Sequence, residues 1–570
     1  MSRLGFKMTL FSQKLWPRWR GIAYLARASE FCIAFMTSGL LSLVLRNKIP
    51  PVKGTTALVF AFFSYIGVAL AHFLLFLDWK SALKRSSYAI FIHYVASGIF
   101  SVIWHLSPWH PLAGYPGPIM CRVTDLTLAY IVCTGKRHEI VNDYHRRYGK
   151  FVRTGPNTLS INSNAAVSQI YATAACFNKS DAYTLPEVHG RGFFFILDRE
   201  EHNVRRNMWA PAFSRVALDS YMTSLKRRTL QLCSCIEERS DPITGVDLTE
   251  CFQHWAYDIM GDITFGGANK LELMAEGDPE KLVECGQSAT MTLEVLGEVP
   301  WLFDILWNFP VVRDLRKLHQ HAAKFAYTRS LNTSGSHDIC GHLLGEHDDH
   351  HSSLEYDDLV LDTFFAGQAG SDTTASVMTF IFVFLIGHPL VWDRLKEELI
   401  DAFPEGGDTI FDSNALAKLP YLHACIEESL RLGTPFPGLR RVVPPGGSII
   451  DRHFVPARTV VGVPGHAQQI DEENFFPDPL VFRPERWLNE LGEDAICRRS
   501  GLLSFSFGPF GCLGKQLAYQ EIRAAIACLV LTFPTLKFST GFDVETFHRG
   551  VLNRKSTIFR HPLCVIATPS

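Results

Sequence analysis

The stretch Phe505-Ser-Phe-Gly508-Pro-Phe-Gly511-Cys512-Leu-Gly514 places one cysteine among three glycines, just ahead of the apolar helical pattern Leu513, Leu517, Ile522, Ile526 and Leu529. Glycine accepts positive φ and lets a backbone approach another group closely, so amides of this loop can point at the sulfur. A helix starting near Leu513 would set Cys512 at or near its N-terminus, where the dipole favours an anion and lowers a thiol pKa. A thiolate held by backbone donors is the type of axial ligand that binds haem iron and favours O–O cleavage. Taken alone, Cys512 also reads as a buried small hydrophobe, the commoner use of a free cysteine.

Upstream, the apolar run Leu359 to Ile386 is interrupted by Ala366-Gly-Gln-Ala-Gly370-Ser-Asp372-Thr373-Thr374. A glycine inside a helix costs roughly 1 kcal/mol against alanine, so Gly370 needs a specific reason. Adjacent hydroxyls compete for backbone carbonyls and, with glycine, are expected to open or bend the helix. The result would be a groove lined by Asp372 and Thr373 in an apolar wall, as proton delivery to dioxygen requires. Close packing of helices through small residues is the alternative. Glu428-Ser-Leu-Arg431 then places an acid and a base three apart on one helix, and Phe482-Arg-Pro-Glu-Arg486 adds another buried-ion candidate. His202 and Arg206 share a helix face four residues apart, which suits a carboxylate clamp or a solvated basic surface.

The elements that must position these groups form a long chain of 570 residues, well beyond the roughly 150 of a single domain. Acidic and basic residues nearly cancel, 57 against 55, which excludes a strongly basic nucleic-acid footprint. The 14 cysteines form no C-x-x-C pair, which argues against a zinc ribbon or a disulfide framework and for reduced thiols in a cytosol-facing domain. Thr55 to Leu77 and Tyr88 to Leu106 are membrane-span candidates, and the shorter Phe31 to Leu45 reads as a short span or an interfacial helix. Lys7, Lys14, Arg18, Arg20 and Arg27 favour a cytosolic N-terminus, hence two spans plus an interfacial segment. No signal-peptide cleavage pattern is evident. His93 and His105 lie in or beside a span, where a transport path is one reading and an interfacial role the other.

Residues 107–118 carry four prolines and form a stiff hinge between a membrane anchor at 1–106, with two or three spans, and a globular part at 119–570. There, His138 to Tyr148 predicts a helix, Lys150 to Ile161 a hairpin around a Gly-Pro turn, and Arg205 to Arg239 and Leu248 to Phe265 long helices. The fold class is mainly α with small β-sheets. A polar stretch holding His337, His342, His347, His350 and His351 beside Gly335 and Ser336 reads as a surface loop in preference to a metal site.

In this order the motifs resemble the cytochrome P-450 family of haem-thiolate monooxygenases, over residues 111–570. The resemblance implies the cytochrome P-450 fold behind a multi-span anchor. It makes Cys512 the haem iron ligand within Phe505-x-x-Gly508-x-x-x-Cys512-x-Gly514. Gly370, Asp372 and Thr373 would belong to the oxygen-activation segment, and Glu428, Arg431 and Arg486 to a fold-locking triad. The family pattern has an arginine two residues before the cysteine, where this chain has Phe510; Arg441 and Arg206, with His202 in place of a tryptophan, are the implied propionate contacts. Phe364, Phe365 and Gln368 are candidate pocket residues, as is Phe436 within Thr434 to Pro437. The implied cofactor is heme b, with NADPH acting through a separate flavin reductase docking on the Cys512 side. Similarity to fungal members of secondary metabolism further implies a lipophilic substrate, O2, and an endoplasmic-reticulum membrane location facing the cytosol, with no nucleic acid. A haem-thiolate isomerase or dehydratase, and a transporter or receptor with a degenerate haem domain, are the competing expectations.

Overall fold

A computed structural model describes residues 53–172, 176–185, 190–332, 337–346, 354–435, 438–554 and 557–568. Phe31 to Leu45 and the basic residues upstream lie outside the described residues, as do Gly335, Ser336, His347, His350, His351 and Phe436. The chain divides into Met1–Gly114 and Tyr115–Ser570, and the division falls within the proline-rich segment.

In the first unit, helices α1 (Gly54–Phe76) and α2 (Trp79–Leu106) form a hairpin. At 1.5 Å per residue α1 reaches about 35 Å, enough for a hydrocarbon core. The Asp78 carboxylate caps α2 by accepting from the amides of Lys80 and Ser81. His72 Nδ1 lies 2.8 Å from Ser86 Oγ, and Tyr65 Oη lies 3.1 Å from Ser87 Oγ, so the polar groups turn toward each other. Phe60, Phe62, Phe63, Leu74 and Phe91 face outward, an apolar surface suited to lipid. Both helices are long and apolar enough to cross a membrane.

In the second unit three helices, Ile119–Val123, Leu126–Cys133 and the expected Arg137–Tyr148, precede the predicted hairpin, β1 (Phe151–Gly155) and β2 (Thr158–Ile161), paired antiparallel from Phe151↔Ile161 to Gly155↔Thr158. The long helix expected across Arg205 to Arg239 is instead two, α3 (Arg199–Trp209) and α4 (Arg215–Arg239), because Pro211 forces a short 3₁₀ turn between them. Next come β3 (Val246–Asp247), α5 (Leu248–Phe265), α6 (Leu282–Gly297), α7 (Arg313–Leu331), α8 (Tyr356–Gly387) and α9 (Pro420–Leu432). After β4 (Arg441–Val442) and β5 (Val460–Gly462), α10 (Lys515–Thr532) is followed by β6 (Thr535–Phe538) and β7 (Cys564–Thr568). The first sheet runs β1-β2-β5-β4 and the second β6-β7-β3.

The centre of the unit is α8, apolar around most of its circumference and therefore buried rather than amphipathic. It remains α-helical through Gly370 and Thr374 and does not open there. Its hydroxyls bond backward instead: Ser371 Oγ donates to Gly367 O (2.7 Å), Thr373 Oγ1 to Ala369 O (2.6 Å) and Ser376 Oγ to Asp372 O (2.7 Å). At Gly370 the Met260 side chain of α5 packs against the helix; a Cβ there would sit 2.5 Å from Met260 Sδ, so the methionine would have to shift.

A buried ion cluster then fixes the chain that leads to Cys512. Glu428 accepts two bonds from Arg431 (2.7 and 2.8 Å), one from Arg486 Nε (3.4 Å), one from Trp487 Nε1 (2.9 Å) and one from the Arg483 amide (3.0 Å). Arg431 Nη1 also donates to Gln469 O (2.7 Å) and Pro479 O (2.5 Å). The three charged side chains are fully buried, so their value is conditional on all partners being present. We expect Arg431→Met to cost about 3–5 kcal/mol of stability by leaving Glu428 undercompensated. Lys150→Met, which breaks the exposed 2.6 Å pair with Glu473, should cost less than about 1 kcal/mol. Equal thermal shifts in the two variants would contradict this ranking.

Candidate active site

The cysteine loop owes its shape to one glycine in particular. Gly508 has φ +68°, and a Cβ there would fall 2.1 Å from Tyr171 O. The Cys512 amide donates to Phe505 O (2.9 Å) and the Gly511 amide to Gly508 O (2.9 Å), closing a tight loop. Gly508 itself does not line the cavity beyond, so it shapes the loop, while Phe505, Cys512 and Gly514 do line it.

Helix α10 begins at Lys515 with Gly514 as its N-cap, so Cys512 precedes the first turn. Its accessible surface opens onto an internal cavity that Cys512 lines. The expectation of a lowered thiol pKa is corrected here: burial pushes the Cys512 thiol up, and the Gly514 amide, Arg206 and Lys515 only partly oppose that. A thiolate at this position therefore needs a strong cation at the sulfur, as a metal ion provides.

Cys512 shares this cavity with residues from α8: Ala369, Gly370, Thr373 and Thr374. Asp372 is turned elsewhere. One residue along an α-helix rotates the side chain by about 100°, so Thr373 and Asp372 cannot share a direction. Tyr257 Oη on α5 lies 2.9 Å from Asp372 Oδ1 and 3.0 Å from Gln368 Oε1, and Gln368 Nε2 donates to Asp372. Asp372, Phe364, Phe365 and Gln368 line a neighbouring chamber. Phe365 and Phe194, stacked at 4.1 Å, border both spaces, as does Thr373.

At another edge of the cavity stand Lys179, His202 and Arg441. His202 Nδ1 and Arg441 Nε are buried without a hydrogen-bond partner among the described residues. Burial, then Lys179, Arg206 and Arg441, hold His202 down to about 2. Arg206 does not line the cavity; its Nη1 donates to Gly511 O (2.9 Å) and braces the loop from outside. Arg440 pairs with Glu298, as alternation along an extended chain directs it away from Arg441.

Two groups on the cavity wall escaped the sequence reading. Lys179 sits in an irregular segment with no periodic signal. Glu521 is a carboxyl four residues after cavity-lining Leu517, a charged residue on the apolar face of α10, and that placement was a usable signal. Burial pushes Glu521 up to about 8, and the Thr374 hydroxyl at 3.3 Å opposes this only in part.

The sequence pattern described as Cytochrome P450 matches residues 113–559. Cytochrome P450 monooxygenase FCK2 of Fusarium pseudograminearum is 31% identical over 76% of this chain and 78% of its own length. Cytochrome P450 monooxygenase hepC of Aspergillus oryzae is 32% identical over 74% of this chain and 87% of its own. Tryprostatin B 6-hydroxylase of Neosartorya fischeri is 28% identical over 81% and 83%. The chain belongs to the cytochrome P450 family. It is an oxidoreductase of the haem-iron monooxygenase class. The residues present fit that cofactor: a thiol facing the cavity, apolar walls, and buried basic groups with unmet donors at one edge.

The raised carboxyl gives a pH prediction. Between 4.5, the ordinary value, and about 8, the folded chain keeps the Glu521 proton that the unfolded chain releases. This contribution to stability is therefore full below 4.5 and lost as pH rises toward 8. Thermal melts of Glu521→Gln should lose less stability across that window than wild type. Parallel profiles in the two proteins would contradict the assignment.

Proposed function

We propose that this protein is a monooxygenase of the endoplasmic-reticulum membrane, its catalytic unit facing the cytosol. It inserts one atom of O2 into a C–H or C=C bond of a lipophilic secondary-metabolite intermediate. Electrons come from NADPH through a separate flavin reductase docking on the Cys512 side. The observation that carries this reading is that Cys512 and the Gly370–Thr373 face of α8 open onto one cavity. The fungal monooxygenase relatives and the lipid-suited helical hairpin support it.

When bound at this site, haem (heme b) would supply activation of O2. Cys512 would hold its iron, and the turns of the Gly508–Gly514 loop fix the position of the sulfur. Gly370 keeps α8 free of a side chain where it faces the cavity. Thr373 Oγ1, at rest on Ala369 O, is the hydroxyl that can turn toward the cavity and pass a proton. Asp372, held by Tyr257 and Gln368, is the acid next to it in the neighbouring chamber. Phe194, Phe365 and Phe364 offer the lipophilic substrate aromatic walls, while Gln368 offers a polar contact.

The experiment is turnover in membranes with a flavin reductase, using a compound that perturbs the haem spectrum and isotopically heavy dioxygen. One heavy oxygen in the product and an absolute need for NADPH are expected. Product formed without NADPH, or without label, would replace the reading with an isomerase or dehydratase. Thr373→Ala should raise NADPH consumed per product severalfold, and unchanged coupling would remove Thr373 from proton delivery.

A further inference from the structure

The basic edge of the cavity poses an electrostatic problem that the protein does not solve by itself. Lys179 and Arg441 are joined by a backbone bridge, and the flanking amide of Val442 donates to Asn178 O (2.9 Å). Residues directly opposite in such a pairing place their side chains close together, where like charges repel. Both side chains are also buried. Neither forms an ion pair with any carboxylate among the described residues.

The local partners are few. Lys179 Nζ donates to Phe194 O (2.7 Å), one bond for a group with three donors. Arg441 Nη1 reaches Arg440 O (2.9 Å), while its Nε has no partner among the described residues. Both lie against the Phe510 ring, its centroid 4.9 Å from Lys179 Nζ and 4.7 Å from Arg441 Cζ. His202 meets the same ring edge-on at 4.5 Å. Cation–π attraction to Phe510, and at longer range to Tyr183 and Phe194 for Lys179 and to Tyr171 for Arg441, recovers only part of the desolvation cost; burial and the Arg441 charge push the Lys179 ammonium well below its usual range. An anion between them would meet the unmet donors and screen the repulsion together.

We infer that Lys179 is a haem-binding residue of this chain, holding a propionate carboxylate jointly with Arg441, in compensation for the apolar side chain at Phe510. Resting on the proposed haem-thiolate function, it adds a lysine that the cysteine loop does not encode. The backbone bridge is what delivers it, because Arg441 and Lys179 are placed as a unit. Phe510 then acts as the flat apolar spacer against which both cations lie.

The test follows haem retention rather than turnover, using full-length haem-loaded protein and apomyoglobin as haem acceptor. Loss of a charge-assisted bond predicts about ten- to hundredfold faster haem transfer from Lys179→Met. Lys179→Arg should stay near wild type, and adding Phe510→Arg to Lys179→Met should recover most of the loss. Haem transfer from Lys179→Met at the wild-type rate would overturn the inference. Should Lys179→Met fail to fold, Lys179→Arg still decides, since its propionate-bending band in resonance Raman spectra should shift, and an unshifted band would overturn the inference. Absence of a thiolate-type spectrum in folded wild type would overturn the haem-thiolate reading itself, whereas a normal wild-type spectrum with unaltered Lys179 variants overturns this inference alone.

Discussion

A single buried carboxylate, Glu428, organises the approach to the cysteine loop. It has no solvent to neutralise it, so it must gather Arg431, Arg486, Trp487 and the Arg483 amide around itself. Arg431 then binds Gln469 O, and Gln469 spends its own amide on Leu430 O, Arg431 O and the Leu503 amide. Ser504 Oγ donates to Leu430 O, so the entry to the loop is tied to α9 on successive residues. Few of these bonds touch the cavity. Together they determine where Cys512 sits relative to α8.

The second constraint is desolvation at the sulfur. An exposed cysteine near a helix N-terminus would be a reactive thiolate in its own right, open to oxidation. Here the sulfur opens onto the internal cavity, and desolvation pushes the thiol up, with the Gly514 amide, Arg206 and Lys515 opposing it. The sulfur is thus arranged to become a thiolate when iron is bound. The same low-polarity surroundings raise Glu521 and leave His202 uncharged, so the cavity carries fewer net charges than its residue types suggest.

Much of the architecture was legible where the signal is local. The Gly-Pro hairpin at 151–161, the apolar hairpin of α1 and α2, the buried run of α8 and the Glu428-x-x-Arg431 spacing all depend on neighbours in sequence. The split between α3 and α4 was equally local, since Pro211 announces it, but the helical periodicity on both sides masked the break. Other features depend on distant partners. Asp372 turns from the Cys512 cavity because Tyr257 stands on the α5 side of α8. Gly370 reads as a helix-opening residue until Met260 is found against it. Lys179 reaches the cavity through pairing with a residue far along the chain, and no motif could have indicated it.

The account turns on Cys512 as the iron-binding thiolate of the cavity. The most direct measurement is the absorption spectrum of the reduced, carbon-monoxide-bound protein, wild type beside Cys512→Ala, with folding checked by circular dichroism. The wild type should show the red-shifted Soret band of a thiolate-ligated haem, and folded Cys512→Ala should lack it. The same band persisting in Cys512→Ala, or missing from folded, haem-containing wild type, would contradict the account.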